Sequence, residues 1–403
     1  VGPQILASGY EYTCTIEADG GVLCWGNNLW GNLGNGTLDS QIEPGPILGL
    51  PGPAAFIAAN NAHTCVITTV GDLYCCGGNG NGELGNGTQT LTQLSPVQVL
   101  GLSGVTGVST GVAHTCAVAG GAAMCMGNNQ YGQLGNNNTN SSSIPVQVTG
   151  LLTGVTAITS GDFHTCAIDS AGQVSCWGSN SNGQLGNGKT AAAPTPVAAK
   201  GLPYVVSLAA GQWHTCALTG AGAVYCWGSN MQGQLGTPFV TGNQTTAVPV
   251  PSLTSGVAGI AGELHNTCAV TAAGEVYCWG DNTYGQLGGG TDAGQSNIPV
   301  LITGLPPGMI AVTISEYSGC AEAADGGVFC WGFGGYGELG NGGAYDSLAP
   351  VTVALDDDGG VDAGPLSPSP GGVAISAGQD QVLLLTASGT VEAWGNGVWG
   401  QLG

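Results

Sequence analysis

The chain has 403 residues, only 6% of them charged, and Lys189 and Lys200 are the only two basic ones against 24 carboxylates, for a net charge of -22. So few cations cannot neutralise a phosphate backbone, and the negative balance repels polyanions and anionic membrane surfaces. Nucleic acid is excluded as a partner, while cations and basic protein patches stay open.

Hydrophobic residues make up 42% of the chain, enough for a core, and no apolar run approaches the roughly 18 residues of a membrane helix, so no membrane insertion is expected. The 76 glycines lack the every-third spacing of collagen and point to many tight turns. Val1 opens no basic, apolar and cleavage segment of a leader, and the chain is expected to be a mature or trimmed form.

Along the chain the same box recurs. It begins at Trp25 and returns at Cys76, Met126, Trp177, Trp227, Trp279, Trp331 and Trp394, with spacings of 51, 50, 51, 50, 52, 52 and 63 residues. The last interval is long because DDDGGVDAGPLSPSP is inserted at 356 to 370. Within the fourth copy, short β-branched or alternating runs at Val155 to Ser160, Thr165 to Asp169, Gln173 to Trp177 and Pro196 to Ala199 are separated by Gly, Asn and Ser turns. Each unit therefore reads as four short strands, and no stretch carries sustained helical spacing.

Eight copies of three strands and seven intervening Pro-Val-type strands make about 31 strands. Such units predict a single all-β domain over residues 1–403, a β-propeller, with an Asp/Pro/Gly-rich loop insertion at 355–373 before the last repeat. By count the propeller has eight blades. The stub Val1 to Gln4 is the only material to supply the missing edge strand.

The cysteines follow the period. Cys14 and Cys24, Cys65 and Cys75, Cys116 and Cys125, Cys166 and Cys176, Cys216 and Cys226, Cys268 and Cys278, and Cys320 and Cys330 form seven pairs nine or ten residues apart. In a hairpin turning near Ser170 to Gly172 the two members face each other closely enough for a cross-strand bridge, and each pair is predicted to be a cystine. In the eighth copy Leu383 and Ala393 replace both members together, as a bond within the copy requires. Cys76 stands at a Trp position and is predicted to be a small buried free thiol. This usage implies an oxidising compartment, extracellular or at the cell surface.

His-Thr-Cys in copies two to five raises metal binding. No fourth ligand recurs, and Tyr12 and Ser318 replace the His while their cysteine pairs persist, so no metal is predicted. His63, His114, His164, His214 and the displaced His265 are expected to be packed, hydrogen-bonded turn residues. The run Asp356, Asp357, Asp358 and Asp362 has charge to attract calcium but lacks the alternating ligand spacing of a calcium loop. Sequons stand at Asn35, Asn86, Asn137, Asn140 and Asn243.

The pattern G-x-x-H-T-C-A…G-x-V-x-C-W-G-x-N-x-x-G-Q-L-G resembles the regulator of chromosome condensation repeat and covers essentially the whole chain. The resemblance implies a β-propeller, commonly of seven blades, which sets seven against the count of eight. Its members include a nucleotide exchange factor on chromatin, a plant ultraviolet-B photoreceptor, ubiquitin-ligase modules and a secreted bacterial β-lactamase inhibitor. The basic surface of chromatin binders is absent. The photoreceptor's Gly-Trp-Arg-His-Thr is represented by Gly211, Gln212, Trp213, His214 and Thr215, without the Arg. In character the chain is most similar to the secreted bacterial members.

The residues ahead of each His position vary on one rim: Tyr10 and Glu11, Asn61, Val112, Asp162 and Phe163, Gln212 and Trp213, Glu263 and Leu264, Glu316 and Tyr317, Gln379 and Asp380. Aromatic residues interleaved with carboxylates suit recognition of a protein surface. A second aromatic series, Trp30, Tyr131, Tyr284, Tyr336 and Trp399, is expected to pack against neighbouring blades, and tryptophans such as Trp177 and Trp227 to fill the core.

No catalytic motif is present and no cofactor is expected. The sequence thus predicts a non-enzymatic, secreted or cell-surface propeller. It would serve as a protein-binding or adhesive module or as a structural subunit of an extracellular assembly, self-association included. The alternative is a proteinaceous inhibitor of a secreted enzyme bound by the propeller face.

Overall fold

The structure, a computed structural model, describes residues 6–353 apart from 10–11, 17–18, 293, 316, 326, 336–338, 340, 342 and 344, and, in the last copy, 372–377, 381–386 and 391–395. Among these residues there are 31 strands and no helix. In the fourth copy the strands are Val155–Ser160, His164–Asp169, Val174–Gly178 and Ala193–Ala198. The fourth strand begins three residues ahead of its predicted start because pairing of Gly178 with Ala193 extends the ladder beyond the Pro-Val step.

Each copy is an antiparallel meander in chain order. The turn between its second and third strands is built from short polar residues: Gly172 N–H donates to the Asp169 carbonyl (2.9 Å), and the Asp169 carboxylate accepts from the Ala171 and Gln173 amides. Seven such four-stranded blades are complete, and the eighth copy adds a sheet of three described strands, Gly372–Ala377, Gln381–Thr386 and Val391–Gly395. We number the sheets one to eight in chain order. The first strand of each sheet lies beside the first strand of the next, and the first strand of the eighth contacts both the seventh and the first, Leu6–Gly9, so the ring closes. The stub Val1 to Gln4, the insertion from 355 to 371 and its four aspartates lie outside the described residues; Gly372 and Val373 already belong to the strand that follows.

The core is a series of seams. Apolar side chains on one face of each blade meet the next blade: Cys216, Leu218, Val224, Cys226 and Leu235 of blade 5 pack on Ala269 and Trp279 of blade 6. Burying each large apolar side chain contributes about 1.5–3 kcal/mol. All seven predicted cystines are formed, each between directly paired residues of the second and third strands, with Cα atoms 4.1 Å apart. Cys76 is the free, buried thiol.

Candidate binding face

The seams explain the motif. In the fourth copy's box, Asn180 Oδ1 accepts from the Leu185 amide (3.0 Å) and its Nδ2 donates to the carbonyls of Lys189 and Ala191, which ties the long turn to itself. The same Asn-to-Leu bond recurs from Asn28, Asn79, Asn129, Asn230 and Asn282. That turn aims the Gln184 carbonyl at blade 5, where it accepts from Trp227 Nε1 (2.7 Å) and Thr215 Oγ1 (3.1 Å). Gly186 must be glycine there: its φ is +67°, and a β-carbon would stand 2.9 Å from Trp227 Nε1.

The histidines complete the latch. His63, His114, His164 and His214 are buried, and their Nε2 atoms lie 2.8, 3.0, 2.9 and 2.9 Å from the hydroxyls of Thr115, Thr165, Thr215 and Thr267 in the following blade. Each of these hydroxyls spends its single proton on a box carbonyl, of Glu83, Gln133, Gln184 and Gln234 in turn. The threonine oxygen therefore accepts from the imidazole, which fixes the Nε2–H tautomer. Burial pushes these imidazoles down to about 4, 3, 4 and 3. They begin the second strand rather than sitting in the turn. His265 does lie in a turn, half-buried, with its ring 5.7 Å from Trp213. Among the described residues no group of His, Cys, Asp or Glu is arranged to hold a metal.

The turns between first and second strands and the boxes after third strands share one edge of every meander, and together they make one face. Phe163, Trp213, Leu264 and Tyr317 are half-buried on it beside Asp162 and Gln212, and Glu263 is exposed. Tyr10, Glu11, Glu316, Gln379 and Asp380 lie outside the described residues.

Tyr131 and Tyr284 of the second aromatic series pack against the neighbouring blade as expected, but at the surface and partly exposed. Trp30, Tyr131 and Tyr284 are 49%, 42% and 39% exposed, because the box turn carries them out to this face instead of into the seam. There they meet the rim of the next blade by ring edges: Tyr131 on Phe163 at 5.6 Å, and Tyr284 on Tyr317 at 5.1 Å and on Phe333 at 5.3 Å. Tyr336 and Trp399 lie outside the described residues. Trp177 and Trp227 fill seams as expected.

Reading the sequence misses one part of this face, a pocket of about 340 Å³ lined by Trp30, Asn61, Ala62, Gly78, Glu83 and Val112 among others. The residue before each His position is Ala62 and Ala113 in copies two and three, where copies four and five carry Phe163 and Trp213. Gly78 stands where Asn128, Ser179 and Asp281 occupy other copies. Copy-by-copy comparison of side-chain size is the signal that would find it.

The sequence profile of the RCC1-like domain matches residues 57–365, and that of the regulator of chromosome condensation (RCC1) repeat matches residues 19–67. The chain belongs to the RCC1-like propeller family. It is 36% identical over 145 residues to the human E3 ubiquitin-protein ligase HERC2 and 34% identical over 143 to the ultraviolet-B receptor UVR8 of Arabidopsis thaliana; each match covers 34% of this chain. The matches span 3% and 29% of those relatives' own lengths.

In fold it is similar to human WBSCR16, with a TM-score of 0.74 and 23% identity over 91% of this chain and 99% of that one. It is also similar to Prp20p of Saccharomyces cerevisiae, which binds Gsp1p and histones, with a TM-score of 0.67 and 23% identity over 76% and 79%.

Proposed function

We propose that the chain is a non-enzymatic binding module of an oxidising compartment, secreted or displayed at a cell surface, whose rim face holds a protein partner. The observation that carries this reading is the aromatic pairing on the face: Tyr131 with Phe163, and Tyr284 with Tyr317 and Phe333, place partly exposed rings on a rigid scaffold beside carboxylates. Rings held by their neighbours lose little entropy on binding and exclude water around the contact. With only two lysines in the chain, the face suits a partner of neutral or basic surface. Seven cystines support the compartment, since such bonds persist where thiols are not kept reduced.

The test is affinity capture from the native extracellular milieu with the intact chain and with a variant in which Phe163, Trp213 and Tyr317 are all replaced by alanine. The same partner lost from the triple variant supports the reading, and an unchanged capture overturns the assignment to this face. A captured enzyme whose activity falls on binding makes the module an inhibitor. Light scattering of the pure chain at high concentration separates capture of a foreign protein from self-assembly.

A further inference from the structure

The pocket, lined by residues of copies one to three, carries a carboxylate that the latch does not use up. In copies three, four and six the box Gln binds at both ends, while in copy five Gln234 binds through Oε1 alone. Gln133 Oε1 accepts from the Tyr131 amide and its Nε2 donates to Asn128 Oδ1; Gln184 bonds the Asn182 amide and Ser179 Oγ, and Gln286 the Tyr284 amide and Asp281 Oδ2. Glu83 replaces this Gln in copy two. Its Oε2 keeps the first bond, accepting from the Asn81 amide at 2.7 Å. Its Oε1 faces Gly78, 3.8 Å from where a β-carbon of that glycine would stand, so position 78 offers it no side-chain donor, and the Asn81 side chain is the polar neighbour that remains.

Glu83 is 6% exposed, and burial raises its affinity for a proton. Gly78, which removes that partner, lines the cavity together with Gly80, Ala62 and Ala113, with Trp30 and Leu91 in its wall. The chain's two cations, Lys189 and Lys200, belong to the fourth copy and leave the pocket no cation of its own.

We propose that this pocket binds an alkylammonium group, its charge on Glu83 Oε1 and its alkyl stem along the Trp30 indole and Leu91. A volume of about 340 Å³ lies within the range of small-ligand sites, about 300–1,000 Å³. An indole beside a carboxylate is favourable to a desolvated cation on both counts. One carboxylate oxygen is already committed to Asn81, so the parallel two-bond fork of a guanidinium finds only half its acceptor, whereas an ammonium needs a single oxygen. The group can come from a free amine or from a lysine of a protein partner, and the lysine source rests on the binding reading above.

The experiment uses calorimetric titration of the full chain with n-butylamine, with a short peptide containing one central lysine, and with the same peptide acetylated at that lysine. Glu83→Gln and Trp30→Ala are titrated in parallel. Gln is the residue of five other copies at this position, so Glu83→Gln retains the box turn, and Trp30 is half-exposed. Binding of butylamine or of the lysine peptide, weakened about tenfold or more in Glu83→Gln and less in Trp30→Ala, supports the site. Affinity then also rises with pH as the Glu83 carboxyl ionises. Butylamine alone binding identifies a free amine, and the peptide alone binding identifies a lysine. No binding of either, equal binding to Glu83→Gln, or undiminished binding of the acetylated peptide overturns the proposal. Because Phe163, Trp213 and Tyr317 belong to other blades, the triple rim variant fails or succeeds independently of this result.

Discussion

The imidazole of His164 and the hydroxyl of Thr215 lie 2.9 Å apart across the seam between blades 4 and 5, and that hydroxyl in turn donates to the Gln184 carbonyl. One Thr side chain thus links three positions in two blades. Thr215→Val keeps the shape and leaves a buried imidazole N–H and a weakened carbonyl contact, with Trp227 as the remaining donor. A loss of about 1–3 kcal/mol is expected, read as a lower denaturant midpoint with an unchanged slope.

The four latch histidines make the fold acid-sensitive. Their folded pKa values lie near 3 to 4, below the unfolded 6.5, so the unfolded chain binds more protons across that window. Their contribution is complete above about pH 6.5 and declines as pH falls toward 3 to 4. Thermal melts at pH 7, 6, 5 and 4 should show a falling midpoint. Replacing His114 by Gln should flatten the decline.

Glu322 acts in the opposite direction. It is buried on the second strand of blade 7 where Ile16, Ile67, Val118, Ile168, Leu218 and Val270 stand in other copies, its Oε1 has no partner, and burial pushes it up to about 7. The folded state then holds the proton more tightly than the unfolded chain, and stability falls as pH rises from about 4.3 through 7. Glu322→Leu should raise stability by about 1–3 kcal/mol at pH 8 and less at pH 5, read as a higher melting midpoint. A variant no more stable than the parent at pH 8 would show the carboxylate to be satisfied.

Cys76 is buried, its Sγ 3.6 Å from the Asn32 carbonyl, and burial pushes the thiol up to about 12. Native protein without reductant should therefore take up no alkylating reagent, and unfolded protein should take up one equivalent, by mass spectrometry. More than one equivalent would mean an open cystine.

Breaking one clasp through Cys166→Ala with Cys176→Ala should cost about 2–3 kcal/mol and leave the remaining bridges intact.

Much of the ring was legible because its signals repeat. The box at a spacing near 51 residues, the paired cysteines and the short alternating runs each recur, and they agree on strand number, hairpin register and the free Cys76. The face was less legible. Tyr131 and Tyr284 occupy a regular position that reads as packing on the next blade, and they pack there, but regularity alone does not reveal that the turn leads outward and leaves them partly exposed. The pocket was invisible for a different reason: it is made by what Ala62, Ala113 and Gly78 lack, and a missing side chain leaves no motif.

Each clasp ties the second strand of a sheet to its own third strand, and the described cystines never bridge two sheets. Under tension applied at the ends of the chain, such a ring parts along its seams while the closed hairpins hold. Every sheet that does unravel yields a shorter length of slack than its residue count would allow, a fastening suited to a molecule exposed to mechanical load.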